Sequence, residues 1–428
     1  QETVEILKIS EGGIFEVAEG RYSKTYRFSD VNYATRTENE QESFFQKYCK
    51  CLNSFDCTFK ITVNNKNRDM EALRNEVMLG LRNDGFDEMR ESYNRIIEEK
   101  ILEGRQGIEQ ERYITVTVKR KNFEEAKAQF ATIESTMFKS FAELGSRLTP
   151  LSGNERLRIL HDYYRLGRED EFNFDIRKGK ITGTDFRNEI CNSSIKYYPN
   201  CFEDEGKVGR VLFIKKYPTY LSDRFFTELT FLPVHSITSV DVVPVPKDLT
   251  MKMLQKKYLG IESDIIKQQR TRNRNNDFSS DISYSTRQKK RDIEEIMNNV
   301  RENDESLFYV SVTMIVMAES RKELNSICKT IDSIAKGAGC AVDTYMYKQR
   351  EAVNTTLPIG VRQIETMRTM LTQSLAVLMP FNVQELCDRD GIYYGVNQIS
   401  RNIIVGNRKK LLNGNGFIFG VSGAGKSF

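Results

Sequence analysis

The sequence of 428 residues lacks several features that would define its class at once. No stretch approaches the roughly twenty apolar residues of a membrane-spanning helix, and no signal segment opens the chain. Neither sign of charge dominates, because 64 basic residues face 60 acidic ones. A histone-like polybasic protein is therefore excluded, and any contact with nucleic acid or membrane has to come from a local patch. The mean hydropathy of −0.52 predicts a soluble protein, and the length allows two or three cores.

Tryptophan is absent and the eight cysteines are scattered, which is typical of a cytoplasmic protein and not of a disulfide scaffold. Cys49, Cys51 and Cys57 do lie close together, but their spacing lacks the second pair that a zinc site needs. The two histidines, His161 and His235, are distant from them in sequence. We therefore expect these cysteines to be small core residues on a helix and a strand.

The periodicity of apolar residues changes along the chain in a repeated order. A half-buried strand, a long polar helical region, a second strand and a second helix occur twice, at about 57–145 and 236–336. This order predicts an α+β N-terminal region of two ferredoxin-like modules, in which helices cover one face of an antiparallel sheet. The predicted strands are residues 57–63, 113–118, 236–243 and 308–314.

A further helix between the modules has a clear start signal. Ser152 and Glu155 have the spacing of a capping box, in which each side chain satisfies a free backbone N–H. His161 lies beside the apolar face of this helix, and we expect a packing role for it. Residues 167–206 are polar and have few periodic signals, so they predict a loop.

The segment 262–304 is the most polar long stretch of the sequence, and it contains two basic groups. A solvated helical hairpin is the ordinary interpretation. A contact for nucleic acid or anionic lipid is the alternative, although Asp292, Glu294 and Glu295 dilute the positive charge. The basic residues are Lys267, Arg270, Arg272 and Arg274 in the first group and Arg287, Lys289, Lys290 and Arg291 in the second.

The end of the sequence carries a motif with known chemistry. The P-loop, or Walker A, pattern G-x-x-x-x-G-K-[ST] is matched at every position by Gly420, Val421, Ser422, Gly423, Ala424, Gly425, Lys426 and Ser427. The apolar run 416–420 before it predicts the strand that this motif requires. The glycines allow backbone N–H groups to point at phosphate oxygens, while Lys426 would reach the β- and γ-phosphates of ATP and Ser427 would hold Mg²⁺. A chance glycine-rich turn is the alternative.

A P-loop indicates a nucleotide site but not an activity. Hydrolysis also needs a second acidic ligand for Mg²⁺ and a group that positions water. These elements follow the P-loop in such enzymes, and this sequence stops at Phe428. We therefore expect a piece of a longer ATPase, in which no residue of this chain is catalytic and which binds ATP poorly by itself.

Four segments give the sequence a resemblance to a known family. The stretches 391–397, 400–402 and 413–417, the last running into the P-loop, resemble the VirB4-like ATPases of type IV secretion and conjugation machines. The form found in Gram-positive bacteria is the most similar. Residues 154–164 resemble the E-R-L-x-x-L-H-D stretch of the same family.

The resemblance implies a domain organisation and a set of partners. It implies a first α+β module at 1–148, a second with the linking helix and polar hairpin at 149–360, and the start of a RecA-like P-loop domain at 361–428. It also implies an ATPase at the cytoplasmic, inner face of the cell membrane that forms a homo-oligomer, commonly a hexamer, and docks on other secretion-channel subunits. The Walker B acid and the arginine finger of the family have no positions in this chain.

Two other functions fit the same residues. A DNA-translocating coupling protein or an FtsK/HerA-like ATPase shares the RecA-like core, although coupling proteins usually add N-terminal membrane helices. A non-enzymatic docking scaffold would use the N-terminal modules alone. If the basic segment bound DNA in a salt-dependent way, the DNA-translocating protein would be favoured. If no strand ending in an acidic pair followed the P-loop in a longer sequence, the docking scaffold would be favoured.

Overall fold

The structure is a computed structural model that describes residues 4–68, 70–103, 108–192, 194–274, 284–302, 304–386, 388, 391–397, 402–417 and 419. The chain divides into two compact units. Gln1–Lys66 and Gln110–Asn382 form the first, named the sheet unit below, and Asn67–Glu109 and Val383–Phe428 form the second, named the small unit. The division that the resemblance implies, with boundaries after 148 and 360, stays a prediction.

Strands occupy fifteen stretches of the described chain. They are β1 Lys8–Ile9, β2 Ile14–Ala18, β3 Arg21–Phe28, β4 Thr58–Asn67, β5 Ile108–Lys119, β6 Leu148–Pro150, β7 Ile195–Tyr197, β8 Phe202–Asp204, β9 Lys207–Lys216, β10 Ser236–Val245, β11 Leu307–Ala318, β12 Ala341–Thr344, β13 Arg368–Leu371, β14 Ile392–Val396 and β15 Ile403–Gly406.

Helices connect most of these strands. In the same described ranges they are α1 Glu38–Asn53, α2 Met70–Val77, α3 Asp87–Glu103, α4 Phe123–Leu144, α5 Gly153–Tyr164, α6 Ile176–Thr182, α7 Phe186–Ile190, α8 Arg224–Thr230, α9 Lys247–Arg274, α10 Tyr284–Glu302, α11 Arg321–Gly337, α12 Gln349–Thr356 and α13 Thr372–Ala376. No helix among them combines the length and the hydrophobicity that crossing a lipid bilayer requires.

Local chemistry explains where the main elements begin and end. The long strands are rich in Val, Ile and Thr, which pack well on a pleated surface. Helix α4 begins where Asn122 accepts the N–H of Glu125 and ends at Gly145, whose φ of 79° suits a glycine. The predicted capping box of α5 is confirmed, since the N–H of Glu155 donates to Ser152 Oγ at 3.3 Å and the N–H of Ser152 donates to Glu155 Oε2 at 2.7 Å.

Strands β1 to β13 form one antiparallel sheet, so the predicted α+β class with a large antiparallel sheet is confirmed. Its order is β1-β2-β3-β5-β4-β10-β11-β9-β8-β7, with β6 beside β3, β12 beside β9 and β13 beside β11. The first half runs from β2 to β6 and the second from β8 to β12, and both contain the same elements in the same order. The predicted repeat is thus present, with each long helical region divided into two helices. The halves join where β4 pairs with β10.

The sheet is covered on both faces. On one face, named the helix face, α1, α4, α8 and α11 bury an apolar core that includes Phe44, Phe130, Phe226 and Leu324. The opposite face packs against α5, α6, α7 and α12 through a second apolar core. Its centre is polar, and the segment 355–362, named the strap, crosses it. This second face is named the strap face below.

The prediction of half-buried strands is wrong at the centre of the sheet. Lys60, Thr62 and Asn64 alternate with apolar residues along β4, but they are only 2%, 0% and 4% exposed. Alternation normally indicates one solvated face. Here Lys60 donates to backbone carbonyls of the strap, and the hydroxyl of Thr62 pairs with that of Ser239, which itself donates to a strap carbonyl.

The loop predicted at 167–206 contains short elements instead. Helices α6 and α7 start at Asp175 and Asp185, whose carboxylates accept backbone N–H groups of the first turn. Strands β7 and β8 then form a hairpin. Ile190 and Phe202 anchor these elements in the core of the strap face. Elements of three to seven residues are too short to produce a recognisable period, which explains the error.

The small unit has its own core. Helices α2 and α3 contribute Leu73, Val77, Ile97 and Ile101, and strand β15 contributes Ile403 and Val405. All of these side chains are 3% exposed or less. The two helices between β4 and β5 therefore pack with residues more than 300 positions later in the sequence.

Candidate functional site

The predicted nucleotide site lies outside the described residues. This applies to every residue of the motif, namely Gly420, Val421, Ser422, Gly423, Ala424, Gly425, Lys426 and Ser427. The assignment of the P-loop to ATP, and of Ser427 to Mg²⁺, rests on the sequence and stays a prediction.

The strand expected at 416–420 is not formed by its described members. Gly416, Phe417 and Phe419 are outside any strand. The side chains of Phe417 and Phe419 are exposed, and their rings stack on each other with centroids 6.0 Å apart. A buried strand of a parallel sheet is stable only between neighbouring strands. Within the described ranges, no strand pairs with this stretch.

The segment ahead of the P-loop that resembles the VirB4-like family belongs to the small unit. Strands β14 and β15 form an antiparallel hairpin with an irregularity between Tyr393 and Gly395. The hairpin packs on α2 and α3, and the N–H of Tyr393 donates to the hydroxyl of Tyr93 at 2.9 Å. Residues 391–397 are thus fixed to a helix that lies 300 positions earlier in the chain.

Asp388 fixes the chain that follows this hairpin. Its carboxylate accepts the N–H of Asn407 at 2.9 Å and the ammonium of Lys410 at 3.1 Å. These donors, the Asn407 amide first, hold the pKa of Asp388 below its usual value. The N–H of Asp388 also donates to the carbonyl of Val405. The chain is therefore held by hydrogen bonds to within ten residues of the predicted P-loop.

A second cluster of chemically distinctive residues lies under the strap in the sheet unit. Hydroxyl groups of the three strands β3, β5 and β10 donate to strap carbonyls: Ser239 to Thr356, Thr25 and Thr115 to Pro358, Ser23 to Ile359 and Thr117 to Gly360. Gly360 has a φ of +85°, and a Cβ there would lie 2.6 Å from Ser23 and from Thr117. Only glycine fits this close approach.

Lys60 is a buried cation of this cluster. Its ammonium donates to the carbonyls of Thr355, Leu357 and Val361. Burial lowers the pKa of Lys60 to about 8, against a smaller opposite effect of Asp241. The hydrogen bonds of this lysine therefore hold both ends of the strap.

Asp241 and Arg362 form a bidentate ion pair beside Lys60. The Nε and Nη2 atoms of Arg362 donate to the two carboxylate oxygens of Asp241 at 2.6 and 2.9 Å. Asp241 is also the residue directly opposite Lys60 across the β4–β10 ladder. The pair ties the end of the strap to the junction between the two halves.

Arg156 ties the same strap to the family-like stretch on α5. Its guanidinium donates to the carbonyls of Gly13 and Ser23 at 2.8 and 2.9 Å, and more weakly to that of Pro358. It also lies 3.8 Å from the ring centroid of Phe15. Burial lowers the pKa of Arg156 to about 9. Residues 154–164 thus have a structural role in the sheet unit, at the strap.

The strap cluster holds a segment in place and is not a nucleotide pocket. The cavity beside Lys60, Asp241 and Arg362 has a volume of about 150 Å³, whereas ligand pockets typically measure about 300–1,000 Å³. Its cations are engaged by carbonyl oxygens and by one carboxylate. None of these residues was predicted from the sequence. The available signal was a charge within an apolar strand, as in Phe59-Lys60-Ile61 and Val240-Asp241-Val242.

The cysteines and His161 occupy packing positions. Cys49 and Cys51 are buried on α1, as expected, and Cys57 precedes β4 and packs on the same core. Burial raises the pKa of each thiol to about 12. Among the described residues, no three His, Cys, Asp or Glu side chains are grouped as metal ligands would be. His161 is buried on α5 against the ring of Phe172.

Comparison with known proteins identifies no family for this chain. No protein-family model matches the sequence, and no curated protein matches it.

Proposed function

We propose that this chain is the N-terminal region and the beginning of the ATPase domain of a VirB4-like motor of a type IV secretion or conjugation machine. The observation that carries the proposal is the P-loop match at Gly420–Ser427, in which every position fits the pattern. The family-like stretches at 154–164 and 391–397 support it. The first lies on α5 and the second in the β14–β15 hairpin.

The roles of the P-loop residues follow from the chemistry of phosphate binding. Backbone N–H groups around Gly420, Gly423 and Gly425 would surround the phosphates of ATP. Lys426 would neutralise the β- and γ-phosphates, and the hydroxyl of Ser427 would hold Mg²⁺. In the protein as a whole, this site would bind the ATP whose hydrolysis drives the machine.

The topology of the sheet supports two ferredoxin-like modules as part of the proposal. In the first half, the strands lie in the order β6-β3-β5-β4, and in the second half in the order β12-β9-β11-β10. Counting the four strands of each half along the chain, this order is 4-1-3-2. One helix follows the first strand and one follows the third, which is the β-α-β-β-α-β arrangement. A RecA-like domain would then follow the strap.

The sheet unit would serve for docking in this proposal. Its polar centre is occupied by the strap, and the apolar cores of both faces are filled. Contacts with other secretion-channel subunits, with further copies of the same protein and with the inner face of the cell membrane would therefore use its outer helices.

ATP turnover by the full product of the gene tests the proposal. Lys426→Ala should lower the turnover rate about 100-fold, since a lost contact to the developing charge typically costs this much. Lys409→Ala is the matched control, because Lys409 is an exposed lysine of the same segment, and it should leave the rate unchanged. Equal rates for the two variants would refute the assignment of Lys426. No turnover by the unmodified protein would favour the docking scaffold.

A further inference from the structure

The hairpin of α9 and α10 brings the two basic groups of the sequence to one end. The ammonium of Lys290 lies 3.1 Å from Glu262 Oε1 and over the ring of Tyr258 at 5.0 Å. This contact and that of Lys247 with Asp304 near the base show that the two helices run antiparallel. Residues 265–270 of α9 and 286–289 of α10 therefore lie together beyond the Lys290 contact, toward the connection between the helices, and Lys290 and Arg291 lie at the contact. This part of the hairpin is named the distal end.

Positive charge is concentrated at the distal end. Residues 265–270 and 286–291 contain six basic residues and no acidic ones, a net charge of +6, while the whole chain has +4. The remaining sequence is thus slightly acidic. Glu262 lies at the Lys290 contact, and Asp292, Glu294 and Glu295 lie on its other side, toward the base. Asp264 lies 3.9 Å from Lys267 and Asp292 accepts the amide of Gln288 at 2.8 Å, so these two dilute the charge in part, whereas Glu294 and Glu295 lie farther toward the base.

The basic side chains of the distal end are accessible. Arg270, Lys289 and Arg291 are exposed, and so are the amide side chains of Gln268 and Gln288. Among its described residues, the distal end exposes one large apolar side chain, Ile266. The hairpin is anchored at its base instead, where Leu254 of α9 and Val300 of α10 are buried.

We propose that the distal end of the α9–α10 hairpin binds the phosphate backbone of nucleic acid without sequence preference. Arginine, lysine and amide side chains are the groups that contact phosphate and sugar oxygens in such complexes. A helix that binds a lipid surface needs a broad apolar face to insert, and one exposed isoleucine does not provide it. The hairpin binds nucleic acid through charge, so its affinity depends strongly on salt. Binding goes beyond the proposed ATPase activity and does not depend on it, and a positive result would favour the DNA-translocating ATPase over the secretion motor.

The test measures binding of a 5′-labelled 20-base-pair DNA duplex by fluorescence anisotropy between 50 and 200 mM salt. The triple variant Arg270→Gln, Lys289→Gln, Arg291→Gln should reduce the slope of log K against log salt by about 2 to 3, since each phosphate contact contributes about 0.9. At 100 mM salt its affinity should be at least about tenfold lower. All three residues are exposed, so the fold should be retained, as circular dichroism can verify.

The matched control is the triple variant Lys252→Gln, Lys256→Gln, Lys257→Gln, which removes the same number of exposed charges near the base of α9. It should bind DNA as the unmodified protein does. Equal losses in both triple variants, or no binding at 50 mM salt, would overturn the proposal. Binding to vesicles of 30% phosphatidylserine but not to DNA would overturn it in favour of lipid. Lys426→Ala should leave DNA binding unchanged, which separates this result from the fate of the ATPase proposal.

Discussion

The two halves of the large sheet have the same plan but insert different helices at the same point. Between β4 and β5 the first half inserts α2 and α3, and between β10 and β11 the second half inserts α9 and α10. Helices α2 and α3 bury four aliphatic side chains in the core of the small unit. Helices α9 and α10 bury Leu254 and Val300 near their base and are polar over most of their length.

The difference teaches that the sheet is the constant part of this architecture and that the insertions carry its variation. An insertion with an apolar face becomes part of a core, because burial of that face stabilises it. An insertion with a charged surface stays exposed and is available for binding. The first insertion packs with the segment that leads to the predicted P-loop, whereas the second presents positive charge.

The halves differ in a second respect at their junction. Lys60 of β4 and Asp241 of β10 lie directly opposite each other across the ladder. One half thus supplies a buried cation and the other a buried anion, and the strap contacts both. Substitutions at the junction and in the insertions can therefore test how the two halves depend on each other.

The largest effect is expected from Asp241→Ala. The substitution leaves the guanidinium of Arg362 and the neighbouring ammonium of Lys60 without their counter-charge in a buried site. Loss of one partner from a buried ion pair typically destabilises a protein by about 3–5 kcal/mol. The free energy of unfolding, measured by urea denaturation, should fall by this amount.

Asp343→Ala is the control for this substitution. Asp343 makes the same kind of ion pair with Lys215, but the two side chains are 43% and 56% exposed. Exposed pairs contribute about 0–1 kcal/mol. If the two alanine variants lose similar amounts of stability, the junction does not depend on the buried pair.

The repeated order of elements in the two halves could be predicted from sequence because the local periodicity of apolar residues indicates each element. Alternating residues in 57–63 and 236–243 indicate strands wherever their partners lie. The strap could not be predicted, since its hydrogen bonds join residues as far apart as Ser23 and Ile359, 336 positions along the chain. The same kind of non-local contact explains why Lys60 on β4 is buried and not solvated.

The candidate sites also differ in how far they could be predicted from the sequence. The P-loop can be recognised because eight consecutive residues carry its chemistry. The basic distal end of the hairpin becomes a defined surface only when Lys290 is seen to contact Glu262. The role of Arg156 at the strap could not be predicted from the sequence either, because its hydrogen-bond acceptors belong to distant residues, Gly13, Ser23 and Pro358.

A smaller effect is expected from Ile97→Ala in the first insertion. Ile97 is fully buried in the core of the small unit, so truncation should cost about 2–5 kcal/mol of local stability. Ile96→Ala is the control on the same helix, because Ile96 is 49% exposed, and it should cost well under 1 kcal/mol. Hydrogen exchange of α2, α3, β14 and β15 measures the difference. Equal protection in both variants would mean that burial of Ile97 does not stabilise the first insertion.

The smallest effect concerns the pH dependence at the junction. Burial lowers the pKa of Lys60 to about 8 in the folded protein, while an unfolded lysine titrates near 10.4. Between these values the unfolded chain binds more protons than the folded protein, so the folded state gains stability as the pH rises. A neutral amine can still donate to two of the three strap carbonyls. Relative to Lys60→Met, the free energy of unfolding should rise by about 1–2 kcal/mol from pH 8 to pH 9.5. A constant or shrinking difference would show that the pKa of Lys60 is not lowered in the folded protein, and Lys60 would then keep its positive charge throughout this pH range.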